Sequence, residues 1–519
     1  MHTSSLTDCL YHLTNSLVTH PIGDAPEDGD EVLAGKLFLF VYTGILHRQP
    51  VYRRAKELGC RMVFLDSSKP QWMLPYAEDW IHCADPGDPE QAIQAVGEYL
   101  KNRGIEKFDA VMTFDEYGLR SCSKLNELFS AAGAHTGIPY DTLMKIKNKH
   151  AFRAATSAAG VAAPRNLRFS LTDLVSGSLD EEFAKFKFPV VLKPISGAGS
   201  HFVRRVATLD DLKVIAQEYI KEARECGDLG AWGLAQDENA IQSSFMVEEM
   251  IVGQEVDIDL LVQRGKVKFL SVSDNFPTSG PKDLFMEIGG CCPSRALTPA
   301  RLLGLAEMTH RMVSAFGEDL TGCFHFEAIS APTPGADPAT DRGTAYPIEL
   351  NMRLGGSEVH VLMLTTYSIN LGIHAMKLAL GVEIPTYFPR LFPGHEPTPE
   401  QLAAGVVPLD YHAHATSINF LSTGSGYITK IGYDRRLFED SAYCGSMTRC
   451  GVGHPLKAPP LGFDFLGWMV ARGNTPEDSA KNLERCTRYF HYTYTPYSRD
   501  DPHGYIPGTK TYYLDHVDD

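Results

Sequence analysis

Apolar and polar positions along the chain switch between the period of 2 expected of a strand and the period of about 3.6 expected of a helix. After a polar stretch of 34 residues, in which only 10–17 has a helical pattern, KLFLFVYTG (36–44) reads as a buried strand with its turn. PVYRRAKELGC (50–60) follows as a helix with Gly59 near its end, and RMVFLD (61–66) as the next strand. A helix over 90–102, the strand-like FDAVMTFDE (108–116) with acids at its end and a helix over 119–132 predict a parallel α/β layer across 35–140. Its first turn, YTGILHRQP, carries one glycine and lacks G-x-G-x-x-G, so it predicts no dinucleotide site.

The texture then changes. One helix capped by Asp141 is predicted through LMKIKNKHAFRAATSAA, closed by Gly160. FKFPVVLKPISGAGSHFVRRV (186–206) reads as strand, glycine-containing loop and strand, followed by a helix over 209–226 and a Gly- and acid-rich insertion over 227–239. Two β-rich runs around a turn at 263–266 predict a hairpin. A helix capped by Thr298 with Pro299 at its first position comes next, then two strands over 321–353 split by a Pro- and Gly-rich loop, and one apolar helix over 362–380. A Pro-rich link at 385–399 precedes SINFLSTG, GYITKIGYD and a last helix starting at Thr475 with Pro476 and Asp478 in its first turn.

Bulk properties narrow the classes. The 519 residues are long enough for several domains, and 44% hydrophobic with 22% charged residues is ordinary globular composition. A formal net charge of −16 argues against a protein that grips a nucleic-acid backbone. No apolar run approaches a membrane span, and the first 30 residues hold Asp24, Glu27, Asp28 and Asp30 rather than a basic-then-apolar signal, so a cytoplasmic protein is expected. Eleven scattered cysteines without C-x-x-C predict free thiols.

The stretch with the most chemistry is YPIELNMRLGG (346–356). Read as a strand, it sets Tyr346, Ile348, Leu350 and Met352 on one side and Glu349, Asn351 and Arg353 on the other. A carboxylate and an amide oxygen suit a hard cation such as Mg²⁺, and an arginine suits phosphate or carboxylate. An amphipathic edge strand with a solvated face explains the same alternation. GCFHFEAI repeats the pattern, with Cys323, His325 and Glu327 opposite Phe324, Phe326 and Ala328, so Glu327, Glu349 and Asn351 converge if the two strands are neighbours. Uncompensated, two such carboxylates would repel, and Mg²⁺ would relieve them. Lys193 precedes a small-residue loop whose N–H groups could approach phosphate, although the spacing is not the Walker pattern and a surface hairpin also accounts for it. Lys149 fits a solvated helix face equally well. Glu248 and Glu249, and the alternating Glu255, Asp257 and Asp259, read either as solvated acids or as two ends of a nucleoside pocket.

The order of these features resembles the ATP-grasp superfamily: a helix lysine, a lysine before a small-residue loop, an acid pair then Gly-x-Glu, a strand glutamate and Glu-x-Asn-x-Arg-x-Gly-Gly. The match runs from Lys149 to Gly356. Within it, the RLGG ending, GSGYITKIGYD and WMVARGNTPEDSAKNLERC resemble L-amino-acid ligases and the ligase region of carnosine synthase. The resemblance implies an α/β chain: an N-terminal extension (1–34), a Rossmann-like α/β domain (35–140), an ATP-grasp domain (141–385, with a lid over about 165–252) and a C-terminal α+β region (386–519).

It also implies roles. Lys149 and Lys193 would contact ATP phosphates, with Ser196, Gly197, Gly199 and Ser200 in a loop folded over them. Glu248 would face the adenine amino group, Glu249 and Ile251 would add backbone contacts, and Glu255 would take the ribose. Glu327, Glu349 and Asn351 would hold Mg²⁺ (or Mn²⁺), and Arg353, with Lys193, would serve the transferring phosphate. MEIGGCCPSRAL resembles the acceptor side, making Glu287, Pro293, Ser294 and Arg295 substrate candidates together with Gly355 and Gly356. The implied activity is an ADP-forming ligation of a small carboxylate to an amine through an acyl phosphate, by a cytoplasmic homodimer without nucleic-acid or membrane partners. His325 and Glu287 both qualify as the base that neutralises the amine. Another ATP-grasp activation or carboxylation, and a non-catalytic ATP-binding protein, are the alternatives.

Overall fold

The structure is a computed structural model that describes residues 29–131, 137–195, 203–225, 245–277, 285–456 and 464–496. The helix expected at 10–17, the loop carrying Ser196, Gly197, Gly199 and Ser200, and the insertion at 227–239 lie outside the described residues.

The first layer is a four-stranded parallel sheet built from β1 (Leu37–Val41), β2 (Arg61–Asp66), β3 (Asp79–His82) and β4 (Ala110–Met112), in the order β3-β2-β1-β4. The connecting helices are α1 (Gln49–Glu57), α2 (Pro89–Arg103) and α3 (Leu119–Phe129). All five residues of β1 are buried, because a parallel strand covered on both faces has no side left for water.

The long helix expected from 143 to 159 is two helices, α4 (Tyr140–Lys147) and α5 (Lys149–Ala158). Asn148 takes an extended conformation between them and caps the second through its side chain, while Pro139 rather than Asp141 stands at the first N-cap. The break is enforced from a distance: the Lys149 N–H donates to the Ile195 carbonyl. A small antiparallel sheet follows, with β5 (Asn166–Phe169), β6 (Val190–Pro194), β7 (Arg204–Val206) and β8 (Phe245–Glu249) ordered β5-β8-β6-β7 beside α6 (Leu209–Glu225). Its own apolar cluster, including Phe169, Phe183, Leu192 and Phe245, makes it a separate lobe.

The largest sheet is antiparallel throughout and runs β13-β12-β9-β10-β11-β16-β20-β18. Its strands are β9 (Gln254–Gln263), β10 (Lys266–Asn275), β11 (Gly290–Cys292), β12 (Gly322–Ala331), β13 (Thr344–Asn351), β16 (His414–Leu421), β18 (Tyr443–Thr448) and β20 (Phe465–Gly473). Between them in sequence lie the parallel pair β14 (Tyr387–Pro389) and β15 (Val407–Leu409), and β17 (Gly426–Tyr433) and β19 (Pro455–Leu456), which with β21 (Phe490–Pro496) form a third antiparallel sheet. The hairpin expected at 263–266 joins β9 and β10. The sheet is continuous across residue 385, since β16, β20 and β18 extend strands that precede it.

Period-two alternation divides this sheet into two chemical faces. Val256, Ile258, Leu260, Phe324, Phe326 and Leu350 point to one side, where α7 (Pro299–Phe316), capped by Thr298 as expected, covers them. On the other side Leu261, Phe269 and Trp468 pack under α8 (Val359–Tyr367) and α9 (Leu371–Ala379), which in turn meet the first layer. One helix was expected over 362–380. Ser368, at φ 55°, ends α8, and the Asn370 side chain caps α9. The last helix, α10 (Pro476–Thr487), starts at the Thr475 cap read from sequence. The part of the second face that α8 and α9 leave uncovered carries the charged residues.

Candidate active site

Register places the acids. Glu349 on β13 pairs with Glu327 on β12, and Glu327 pairs with Asp257 on β9; one step along, Asn351, His325 and Asp259 form a second row. Asn351 donates its amide to Glu327 at 3.1 Å, so Glu327, Glu349 and Asn351 do converge. Burial first, then the charges of Glu349 and Asp257, push the Glu327 carboxyl well above its usual value. Carboxylates packed this way repel in the absence of a cation, and three hard oxygen donors on one rigid strand pair fit Mg²⁺. Among the described residues no group of three or more His, Cys, Asp or Glu side chains is arranged to hold a metal. The candidate set is instead two carboxylates and an amide.

Cations reach this patch from other elements. Lys149, at the start of α5, lies 3.1 Å from Glu349, across 200 residues of sequence. Arg353 donates from Nε to Glu116 at 3.1 Å, and Lys147 bonds the other oxygen of the same carboxylate. Burial would raise the Glu116 carboxyl, yet Lys147 and Arg353 outweigh it and hold it at about 2. Arg48, also from the first layer, donates to the carbonyls of Gly355 (2.6 Å), Leu354 (2.9 Å) and Phe114 (3.1 Å), tying the RLGG turn to the strand end that carries Glu116. At Gly355 a Cβ would come 2.9 Å from the His325 ring and 2.7 Å from Val359, so this turn requires glycine for close approach.

In the lobe, Lys193 on β6 and Glu248 on β8 meet at 2.7 Å, and Arg153 from α5 reaches Glu248 from the other side at 2.5 Å. Burial acts to raise Glu248, but Lys193 and Arg153 prevail and keep it at about 2. Glu249 is exposed and its N–H donates to the Arg165 carbonyl; Ile251 is half-buried, and Glu255 is exposed at the near end of β9.

The acceptor segment sits farther along the sheet. The Glu287 carbonyl accepts from Asn419 at 3.3 Å, Ser294 bonds Asp274, and the Arg295 N–H donates to Asp274 at 2.7 Å while its guanidinium stacks over Phe276. Gly356 has open space around it. His325 is clasped by Asp259 at 3.0 Å and Asp257 at 3.7 Å; burial would lower it, but these acids raise it to about 10.

Sequence reading did not single out Glu116, Arg48, Arg153 or Glu358. Only Glu116 left a trace there, as one of the acids at the end of FDAVMTFDE. His47 and His360 are also buried, with no hydrogen-bond partner for either ring among the described residues.

A four-stranded antiparallel lobe and a larger sheet whose Glu-x-Asn-x-Arg strand pairs with the Glu327 strand, with Lys149 against Glu349 and Lys193 against Glu248, fit an ATP-grasp fold. An ATP-grasp domain model matches residues 186–360, so the chain carries that domain. It is similar to carnosine synthase 1 of Gallus gallus, at 26% identity over 404 residues covering 75% of this chain and 40% of the relative. The Homo sapiens protein of that name is 23% identical, covering 68% of this chain and 40% of the relative. The chain thus spans well under half the length of these relatives. Among solved structures, an L-amino acid ligase from Bacillus licheniformis aligns with a TM-score of 0.69 at 21% identity, over 89% of this chain and 99% of that one. A phosphoribosylglycinamide synthetase from Anaerococcus prevotii aligns at 0.58 and 14% identity, over 89% and 100%. At these identities the structural likeness establishes the fold.

Proposed function

We propose that the protein is an ATP-dependent, ADP-forming carboxylate–amine ligase that joins an amino acid or small carboxylic acid to an amine, giving a dipeptide-like or amide product. The observation that carries this reading is the pairing of Glu327 with Glu349 on adjacent strands and the Asn351 bond to Glu327, with Lys149 on Glu349 and Arg353 at the end of the same strand. A pure nucleotide binder has no use for the whole set. In the reaction, an oxygen of the acid attacks the terminal phosphorus of ATP, ADP leaves, and the amine then displaces phosphate from the acyl carbon.

Phosphoryl transfer of this kind depends on alignment and charge neutralisation more than on covalent help from the protein. Bound Mg²⁺, with Mn²⁺ as a substitute, would supply most of that neutralisation. Glu327, Glu349 and Asn351 are the residues to hold it. Lys149 and Lys193 bring cations to the phosphate oxygens, and Arg353 meets the oxygens of the transferring phosphate or of the acid. Glu248, Glu249, Ile251 and Glu255 line the expected nucleoside end, and Glu287, Ser294, Arg295, Gly355 and Gly356 the substrate end. A cytoplasmic homodimer is part of the same proposal. Among the described residues no helix is long and apolar enough to cross a membrane.

The test is to incubate the purified protein with Mg²⁺, ATP and mixed amino acids, follow ADP and phosphate, and analyse the mixture by mass spectrometry. Release of ADP that needs both an acid and an amine, with a condensed product, supports the ligase. Dependence on bicarbonate would instead indicate a carboxylating reaction, and no release above background would refute turnover of these substrates.

A further inference from the structure

The ligase reading leaves one proton unassigned. An aliphatic amine or amino group is largely an ammonium ion near neutral pH and carries no lone pair with which to attack. One of the two side chains suggested by sequence, His325, has both ring nitrogens turned to the carboxylates of Asp259 and Asp257. Its Nδ1 is hydrogen-bonded to Asp259, and the two carboxylates hold the ring as a cation near neutral pH, with no lone pair free to take a proton.

Glu358 is placed differently. It follows Gly355, Gly356 and Ser357 directly and stands at the N-terminus of α8, with only 7% of its surface exposed. Its Oε1 accepts from the Ser417 hydroxyl at 2.9 Å, and the Ser417 oxygen accepts in turn from the Gly290 N–H at 2.9 Å. Asn419, two residues along β16, holds the Glu287 carbonyl. One strand therefore fastens both Glu358 and the acceptor segment, while the glycine turn before Glu358 packs on His325 and continues from Arg353. The carboxylate therefore lies between the glycine turn that follows Arg353 and the strand that holds the Glu287 carbonyl. Burial pushes its carboxyl up to about 7, against lowering by its own backbone N–H and the Ser417 hydroxyl; of the surrounding charged groups, Glu287 raises it and His325 lowers it. Such a group exchanges protons near neutrality, the range in which a general base is most effective.

Resting on the ligase reading, we propose that Glu358 is the general base of the amide-forming step. Its carboxylate takes one proton from the ammonium of the incoming amine, and the N–H bond electrons stay on nitrogen as the attacking pair. The new C–N bond forms at the acyl carbon, the C–O bond to phosphate breaks with its electrons going to phosphate, and the departing phosphate takes the second proton from nitrogen. No further reactant is needed.

Glu358→Gln keeps the shape and the Ser417 contact, and hydroxylamine, which is uncharged at neutral pH, separates the two half-reactions. The full-length protein and E358Q are each given ATP, Mg²⁺ and an amino-acid mixture, with hydroxylamine or with an amino acid as the nucleophile. The expected result is that E358Q releases ADP and forms hydroxamate within about twofold of the parent, while amide formation falls on the order of 100-fold. The residual amide rate should also rise with pH as the free amine accumulates. Equal loss with both nucleophiles in a variant whose melting temperature and ATP binding match the parent would overturn the proposal, as would no loss with either. If the parent itself makes neither hydroxamate nor amide from any acid, the ligase reading fails and the role of Glu358 fails with it; hydroxamate without amide loss in E358Q leaves the ligase intact and removes Glu358 alone.

Discussion

Glu248→Gln tests the electrostatics of the lobe most directly. Glu248 is 2% exposed, and Arg153 and Lys193 contact it from two elements, α5 and β6. Burial alone would favour the protonated acid; the two cations reverse this and hold the carboxyl at about 2 rather than the usual 4.5. At roughly 1.4 kcal/mol per tenfold change in proton affinity, the ionised form is favoured by about 3 kcal/mol. The folded value is depressed, so this stabilisation is complete above the unfolded value of about 4.5 and is lost as pH falls towards 2. Gln keeps the shape and removes the charge, leaving two buried cations facing an amide, a situation that generally costs about 3–5 kcal/mol. A chain of this size need not unfold in one step, so the suitable readout is local: amide hydrogen exchange in β6 and β8. At pH 7, exchange there should accelerate roughly a hundredfold in E248Q, while β1 and β2 of the first layer stay unchanged. Acceleration of less than about fivefold would refute the claim that the Lys193 and Arg153 pairs with Glu248 stabilise the lobe.

Three further outcomes follow from the same geometry. Glu349→Gln should abolish turnover with the fold retained and weaken Mn²⁺ binding, read by electron paramagnetic resonance, by at least about tenfold; unchanged Mn²⁺ binding would remove Glu349 from the metal set. Glu116→Gln takes away the anionic partner of Arg353 and Lys147, so kcat should drop on the order of 10- to 100-fold with little change in KM for ATP; a change confined to KM would argue against a positioning role. Gly355→Ala forces a methyl into the 2.7–2.9 Å gaps to Val359 and His325 and should destabilise by about 1–3 kcal/mol, lowering the melting temperature by several degrees, whereas Gly356→Ala, with open space around it, should not.

Local signals in this chain were legible because their causes are local. The caps at Thr298 and Thr475 depend on a hydroxyl three residues from the N–H it accepts, and the hairpin turn at 263–266 on a break in alternation. The break at Asn148 was missed because the Lys149 N–H is claimed by the Ile195 carbonyl, which lies in another lobe. The break at Ser368 was missed because neither Gly nor Pro marks it; the αL turn at Ser368 and the Asn370 cap are seen only in the structure. For the charged face, alternation alone put Glu349, Asn351 and Arg353 on one side of their strand and Glu327 on the matching side of its own. The neighbour relation that makes them one cluster was stated only as a condition.

What the sequence by itself determined is therefore which side chains leave each strand on its polar side and where the hydroxyl caps stand. Period-two geometry and local capping geometry decide these without reference to the rest of the chain. Only the tertiary structure decided the partners: Lys149 against Glu349, Glu116 from the first layer against Arg353 across 237 residues, Glu358 against Ser417. Those contacts depend on how three sheets and their helices pack. A charge on one element acquires its role from the field of another, and linear order does not encode that distance.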